Sequence, residues 1–145
     1  MPTTAHDFPC VIVTEVAFRD IDAMGHVNNA VYLSYLETAR IKFLQQAGAI
    51  TRLGELPLIL AEATVTYKSP ARFGEVLAIG LGVPRFGTKS FEFVYQIDGG
   101  DGRLVALART VLVAYDYASA TTVPVPERFK AQVLAFQAGW EFAMR

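Results

Sequence analysis

Asn28-Asn29-Ala30-Val31-Tyr32-Leu33-Ser34-Tyr35-Leu36-Glu37-Thr38-Ala39-Arg40-Ile41-Lys42-Phe43-Leu44-Gln45-Gln46-Ala47-Gly48 is the stretch on which the fold turns. Tyr32, Leu36, Ala39, Phe43 and Ala47 recur at intervals of three and four, which draws one continuous apolar stripe along a long amphipathic helix. Asn28 or Asn29 supplies the N-cap, and Gly48 is a natural C-terminal stop. Immediately upstream runs Phe18-Arg19-Asp20-Ile21-Asp22-Ala23-Met24-Gly25-His26-Val27, a turn carrying two carboxylates and a histidine. A helix N-terminus presents unpaired N–H groups and a partial positive charge. A carboxylate held beside such donors is equipped to drive attack on a carbonyl or thioester.

Outward from the helix, the chain reads mostly as strands. Residues 10–18 are β-branched and aromatic. Residues 58–68 alternate, with Ile59, Ala61, Ala63, Val65 and Tyr67 on one side and Glu62, Thr64, Thr66 and Lys68 on the other. Residues 69–74 form a turn marked by Pro70 and Gly74. Further strands are expected over 75–83, 89–97 and 104–115, with a hairpin turn at 98–102. The last of them is apolar on both faces apart from Arg109 and Thr110, which implies cover on both sides and association through the sheet. Pro126 opens a terminal helix. The order is strand, long helix, four strands in meander-like succession, then a helix. That is an α+β layout in which an antiparallel sheet wraps one helix, and residues 1–145 form a single domain.

Composition excludes several classes. The chain has 145 residues, 13 basic against 14 acidic, so no basic excess points to nucleic acid. Cys10 is the single cysteine, which rules out an internal disulfide and fits a reducing compartment. No signal-peptide pattern opens the chain, and Glu62 and Arg109 interrupt the longest apolar stretches. A soluble, cytoplasmic protein is expected.

Taken together, the element order, the Asp20-Ile21-Asp22-Ala23-Met24-Gly25-His26-Val27-Asn28-Asn29 segment and Tyr67-Lys68-Ser69-Pro70-Ala71-Arg72-Phe73-Gly74-Glu75 resemble the hotdog-fold acyl-CoA thioesterases, in the 4-hydroxybenzoyl-CoA thioesterase and YbgC-like branch. The resemblance runs from about Val11 to the C-terminal helix. It implies hydrolysis of thioesters of coenzyme A or acyl carrier protein without a metal or other cofactor. It also implies homodimers whose sheets join, with the active site at the subunit interface, and assembly to a homotetramer.

Residue by residue, Asp22 matches the catalytic carboxylate, as general base or as nucleophile. Asn29 matches the position whose backbone N–H polarises the thioester carbonyl. Some relatives carry histidine there; here the histidine is His26, in a His-Val-Asn-Asn version of the motif, and the residues leave its part in the chemistry open. Lys89 falls at the last position of a basic cluster that holds the nucleotide, but Gly87 and Thr88 replace the arginines before it. Binding of coenzyme A then falls to Lys68, Arg72 and Arg85 beside Lys89. Leu33, Tyr35, Leu36 and Phe43 are candidates for the acyl slot or the core.

Each choice has a plainer alternative. Asp22 as an ordinary Asx-turn is the commoner fate of a loop aspartate. Asp20 is read as structural, bonding loop amides or pairing with Arg19 or Arg40. Glu37 is a solvated or ion-paired helix residue. Arg109 must reach an edge, a carboxylate or a phosphate, by default as an ion pair at a subunit interface. Two rival functions stand beside hydrolysis: an enoyl-thioester hydratase or dehydratase of the same fold, and a non-catalytic acyl-CoA-binding protein.

Overall fold

The computed structural model describes residues 3–142. Strand β1 (Cys10–Glu15) leads through a short 3-10 turn (Phe18–Asp20) to helix α1 (Val31–Gln46). Strands β2 (Leu58–Tyr67), β3 (Val76–Phe86), β4 (Ser90–Asp98) and β5 (Leu104–Asp116) follow, then the two-residue β6 (Thr121–Thr122) and helix α2 (Glu127–Phe136). The α+β layout expected from the sequence is present, with the long helix lying against one antiparallel sheet.

The strand order is β1-β3-β4-β5-β2, with β6 attached to β5. This corrects the expected succession of four strands. Only β3, β4 and β5 form a meander; β2 pairs with β5 and lies at the far edge from β1. A hairpin needs a connection of only a few residues, whereas residues 68–75 are long enough to cross the end of the sheet. Lys68 and Ser69 both donate their backbone N–H to the Val105 carbonyl, and Gly74 N–H reaches the Val16 carbonyl, so the crossover is bonded to both flanks.

A bulge also corrects the expected alternation in β2. The register jumps between Leu60 and Glu62, leaving Ala61 as the extra residue. Leu58 and Leu60 therefore sit beside the buried Ala114 and Leu112, and Ile59 faces the other way. A second irregularity, between Gly82 and Arg85, accommodates Pro84, which has no N–H to give the ladder. The first strand ends earlier than expected, at Glu15 rather than residue 18, because Phe18–Asp20 turns into the site loop.

Tyr32, Tyr35, Leu36, Ala39, Phe43 and Leu44 bury the inner face of α1, as the periodicity implies. Phe43 is fully enclosed and meets Phe93 of the sheet and Phe136 of α2, each at 5.1 Å between ring centroids and close to perpendicular. Arg40 is the exception on this face. It is buried, and one guanidinium nitrogen reaches the Tyr95 hydroxyl at 3.4 Å, which is in turn 2.6 Å from Thr110 Oγ1. It does not pair with Asp20.

The N-terminal turn (Ala5–Asp7) packs on β3, where Gly80 leaves room for the Ala5 backbone that any Cβ would strike. No described helix is long and apolar enough to cross a membrane.

Candidate active site

Residues 20–28 double back on themselves. Ile21 and Val27 pair as an isolated antiparallel bridge, Asp22 N–H donates to the His26 carbonyl at 2.9 Å, and Asn28 N–H donates to the Asp20 carbonyl at 2.9 Å. The far side of this small hairpin rests on the crossover. Val27 N–H reaches the Ala71 carbonyl at 2.9 Å, and His26 bridges Arg72. The two motifs quoted from the sequence are thus brought into direct contact.

The crossover is itself anchored. Arg103 donates to Glu75 Oε2 and Asp101 Oδ2, both at 2.7 Å, and to Ser69 Oγ and the Pro70 carbonyl, both at 3.0 Å. One guanidinium, with its planar set of donors, ties the turn before β5 to both ends of the crossover. Arg103 carries no signal in the sequence, because Ser69, Pro70 and Glu75 lie far away along the chain.

Asp20 is structural, as expected. Its Oδ2 accepts from Ala17 N–H at 2.9 Å and from the Tyr35 hydroxyl at 2.8 Å. Burial raises the Tyr35 phenol, and the carboxylate beside it raises it further. Tyr35 is therefore a strut between α1 and the loop. Leu36 is fully enclosed in the core, as is Phe43. Of the acyl-slot candidates Leu33 alone offers much surface, at 38 % exposed.

Asp22 is exposed, and its Oδ1 accepts from Met24 N–H at 2.9 Å. The Asx-turn alternative is thus present in geometry, yet it occupies one oxygen only. Among the described residues Oδ2 has no protein partner. His26 is half-buried, and its imidazole makes no hydrogen bond with the described residues.

The start of α1 corrects the expected cap: the N-cap position falls on Ala30 and carries no side-chain cap bond. Asn28 instead closes the turn that leads into the helix, its Oδ1 accepting Ala30 N–H and its carbonyl accepting Val31 N–H, both at 2.9 Å. The Asn29 carbonyl accepts the Tyr67 hydroxyl at 2.8 Å. The N–H of Asn29 has no acceptor among the described residues. A free donor in the turn that leads into a helix is an arrangement able to stabilise charge developing on a carbonyl oxygen.

The four cations proposed for coenzyme A do not gather in one chain. Lys68 lies beside Val105 at one end of β5, with Arg72 in the crossover next to His26. Lys89 lies beside Ala114 at the other end. Arg85 donates to Glu92 Oε1 at 2.8 Å, and Arg109 donates to the same oxygen at 2.6 Å and to Glu62 Oε1 at 3.0 Å. The ion pairs of Arg109 are therefore within the chain, not across an interface as expected by default. Glu37 is exposed and pairs with none of the described residues.

Glu92 gives this network a pH signature. The Arg109 guanidinium, and after it Arg85, hold its carboxyl below the ordinary 4.5, against the opposing effect of burial. A depressed carboxyl contributes stability above its ordinary pKa, and that contribution is lost as pH falls through the folded value. Urea unfolding should find the stability difference between the wild type and Glu92→Gln largest near neutrality and narrowing at acid pH. A difference that stays constant down to acid pH would contradict this assignment.

Among the described residues, no three His, Cys, Asp or Glu side chains converge where they could hold a metal ion. Cys10 is buried, and burial pushes its thiol up to about 11.

This chain is similar to known thioesterases in sequence and in fold. Acyl-CoA thioester hydrolase YbgC of Escherichia coli is 29 % identical over 122 residues, 80 % of this chain and 86 % of that one. A thioesterase from Thermus thermophilus, solved with coenzyme A and Zn, superposes with a TM-score of 0.81 at 32 % identity over 90 % of this chain and 96 % of that one. A 1,4-dihydroxy-2-naphthoyl-CoA thioesterase from Synechocystis shares the fold, with a TM-score of 0.75 at 22 % identity over 85 % of this chain and 93 % of that one. The model of the thioesterase-like superfamily matches residues 16–133, from the site loop through the crossover and into α2. On that match, over most of its length, this chain belongs to the thioesterase-like superfamily.

Proposed function

We propose that this protein hydrolyses acyl-CoA thioesters, with Asp22 driving the attack and the Asn29 N–H receiving the carbonyl oxygen. The observation that carries the reading is the free Asn29 N–H at a helix start whose neighbouring peptide groups are otherwise bonded. As water attacks the carbonyl carbon, its proton passes to Asp22 and negative charge collects on the oxygen facing Asn29. Collapse of that intermediate breaks the C–S bond, and the acyl group leaves as a carboxylic acid while the thiol of coenzyme A takes up the proton. The same carboxylate can instead attack directly, breaking the C–S bond and expelling the thiolate to form an anhydride. Water then opens it to the free acid, the thiolate takes up the remaining proton and Asp22 returns as the carboxylate. A thiolate leaves readily, so no strong general acid is required, and His26 is free to orient substrate or loop.

Assembly as a homodimer supports this chemistry. Strand β2 is an edge strand, exposed along most of its length, with apolar Leu60 and Tyr67 presented to solvent. Such an edge invites pairing with a second copy. Two-fold pairing of β2 with itself runs the strands antiparallel, which brings Arg85 and Lys89 of one copy toward Lys68 and Arg72 of the other. That restores a divided cation set for the phosphates of coenzyme A, with Leu33 facing the acyl group. A homotetramer formed from two such dimers, working in the reducing cytoplasm, completes the proposal.

An unsaturated acyl-CoA separates hydrolysis from hydration. With crotonyl-CoA the reading expects stoichiometric free thiol and crotonic acid. Formation of the 3-hydroxyacyl thioester without thiol would transfer the assignment to the hydratases, and binding without turnover to a non-catalytic protein.

A further inference from the structure

We infer that Tyr67 and the side chain of Asn28 are positioning residues that aim the Asn29 N–H at the substrate. The inference rests on the proposed role of that N–H and deepens it.

Two peptide units flank the Asn29 Cα. In the unit before it, the Asn28 carbonyl accepts Val31 N–H at 2.9 Å. In the unit after it, the Ala30 N–H is held by Asn28 Oδ1 at 2.9 Å and the Asn29 carbonyl by the Tyr67 hydroxyl at 2.8 Å. Of these four polar groups, the Asn29 N–H alone is left without a partner among the described residues. Because both planes are pinned, the orientation of that N–H is fixed before any substrate arrives. Preorganisation of this kind is what gives an oxyanion donor its effect, since little reorganisation is left for the reaction itself.

Tyr67 is the member of this set that the loop cannot supply. The Asn29 carbonyl precedes the regular helix, which begins at Val31, so no donor of the helical ladder claims it. Its hydrogen bond comes from the last residue of β2, across the gap between sheet and helix. Tyr67 is 45 % exposed; its ring is steadied against Tyr32 at 5.3 Å, and Tyr32 meets Tyr35, the strut to Asp20. The hydroxyl therefore couples the helix start to the edge strand of the sheet. A simple packing tyrosine would not need that hydroxyl.

Tyr67→Phe and a pair of Asn28 variants test this. Tyr67→Phe keeps the ring and removes the donor; kcat should fall about tenfold with KM and the thermal midpoint little changed. Asn28→Ser retains a side-chain acceptor for Ala30 N–H and should stay near wild type, while Asn28→Ala should lose activity in the same manner as Tyr67→Phe. In amide NMR spectra of the folded proteins, the Asn29 N–H resonance should shift or broaden in Tyr67→Phe and in Asn28→Ala. Wild-type kcat in both of these variants, or losses confined to KM or to the unfolded fraction, would overturn the inference. A wild-type protein that hydrolyses no acyl-CoA would defeat the functional reading instead. An Asn29 resonance unmoved in both variants would still count against the positioning role in that event.

Discussion

Asp22→Asn should hydrolyse acyl-CoA with kcat lowered on the order of a hundredfold to ten-thousandfold, the range lost with a positioned general base. The variant is chosen because an asparagine oxygen can still accept Met24 N–H, so the Asx-turn made by Oδ1 survives. What disappears is the basic oxygen, whether it takes a proton from water or attacks the carbonyl itself. KM should change little and the unfolding midpoint should stay close to wild type, since the side chain is exposed and forms no ion pair with the described residues. A folded Asp22→Asn protein with undiminished kcat would remove Asp22 from the chemistry and leave it as a loop residue.

The second large effect is expected at Asn29, and it separates backbone from side chain. Asn29→Ala keeps the N–H and should remain close to wild type. Asn29→Pro deletes the N–H and should lower kcat about a hundredfold to a thousandfold, the loss typical of removing one oxyanion donor. Proline is suited to the second position of a β-turn, which Asn29 occupies in the turn closed by Val31 N–H on the Asn28 carbonyl. Because the N–H has no partner among the described residues, its removal costs the fold no hydrogen bond there. Circular dichroism and thermal unfolding should therefore match wild type. Equal activity in the alanine and proline variants would exclude the Asn29 N–H as the donor.

What can be read from the sequence depends on whether a feature is local. Helix α1 is legible because its stripe repeats over the whole element, and the site loop because two acids, a histidine and Gly25 crowd one turn. The strands are legible one by one, but their order is not. Placing β2 beside β5 depends on what residues 68–75 do, and neighbours in sequence need not be neighbours in a sheet. Parity in β2 fails at one bulged residue, Ala61, since a single insertion exchanges the two faces of a strand.

Asp22 and Asn29 stand out through their motif. Tyr67 lies within the second motif but shows no role there, because its partner is a backbone carbonyl on another element. Arg103 and the acceptors it gathers are invisible in the sequence for the same reason. The basic residues assigned to coenzyme A are recognisable by type, and type does not reveal that they occupy opposite ends of the sheet.

Release of free thiol from short-chain, long-chain and aromatic acyl-CoA esters by the purified wild-type protein tests the central claim most directly. The account predicts turnover of at least one of these classes, yielding one equivalent each of coenzyme A and free acid. Saturable binding of all three classes, with no thiol released from any, would contradict it.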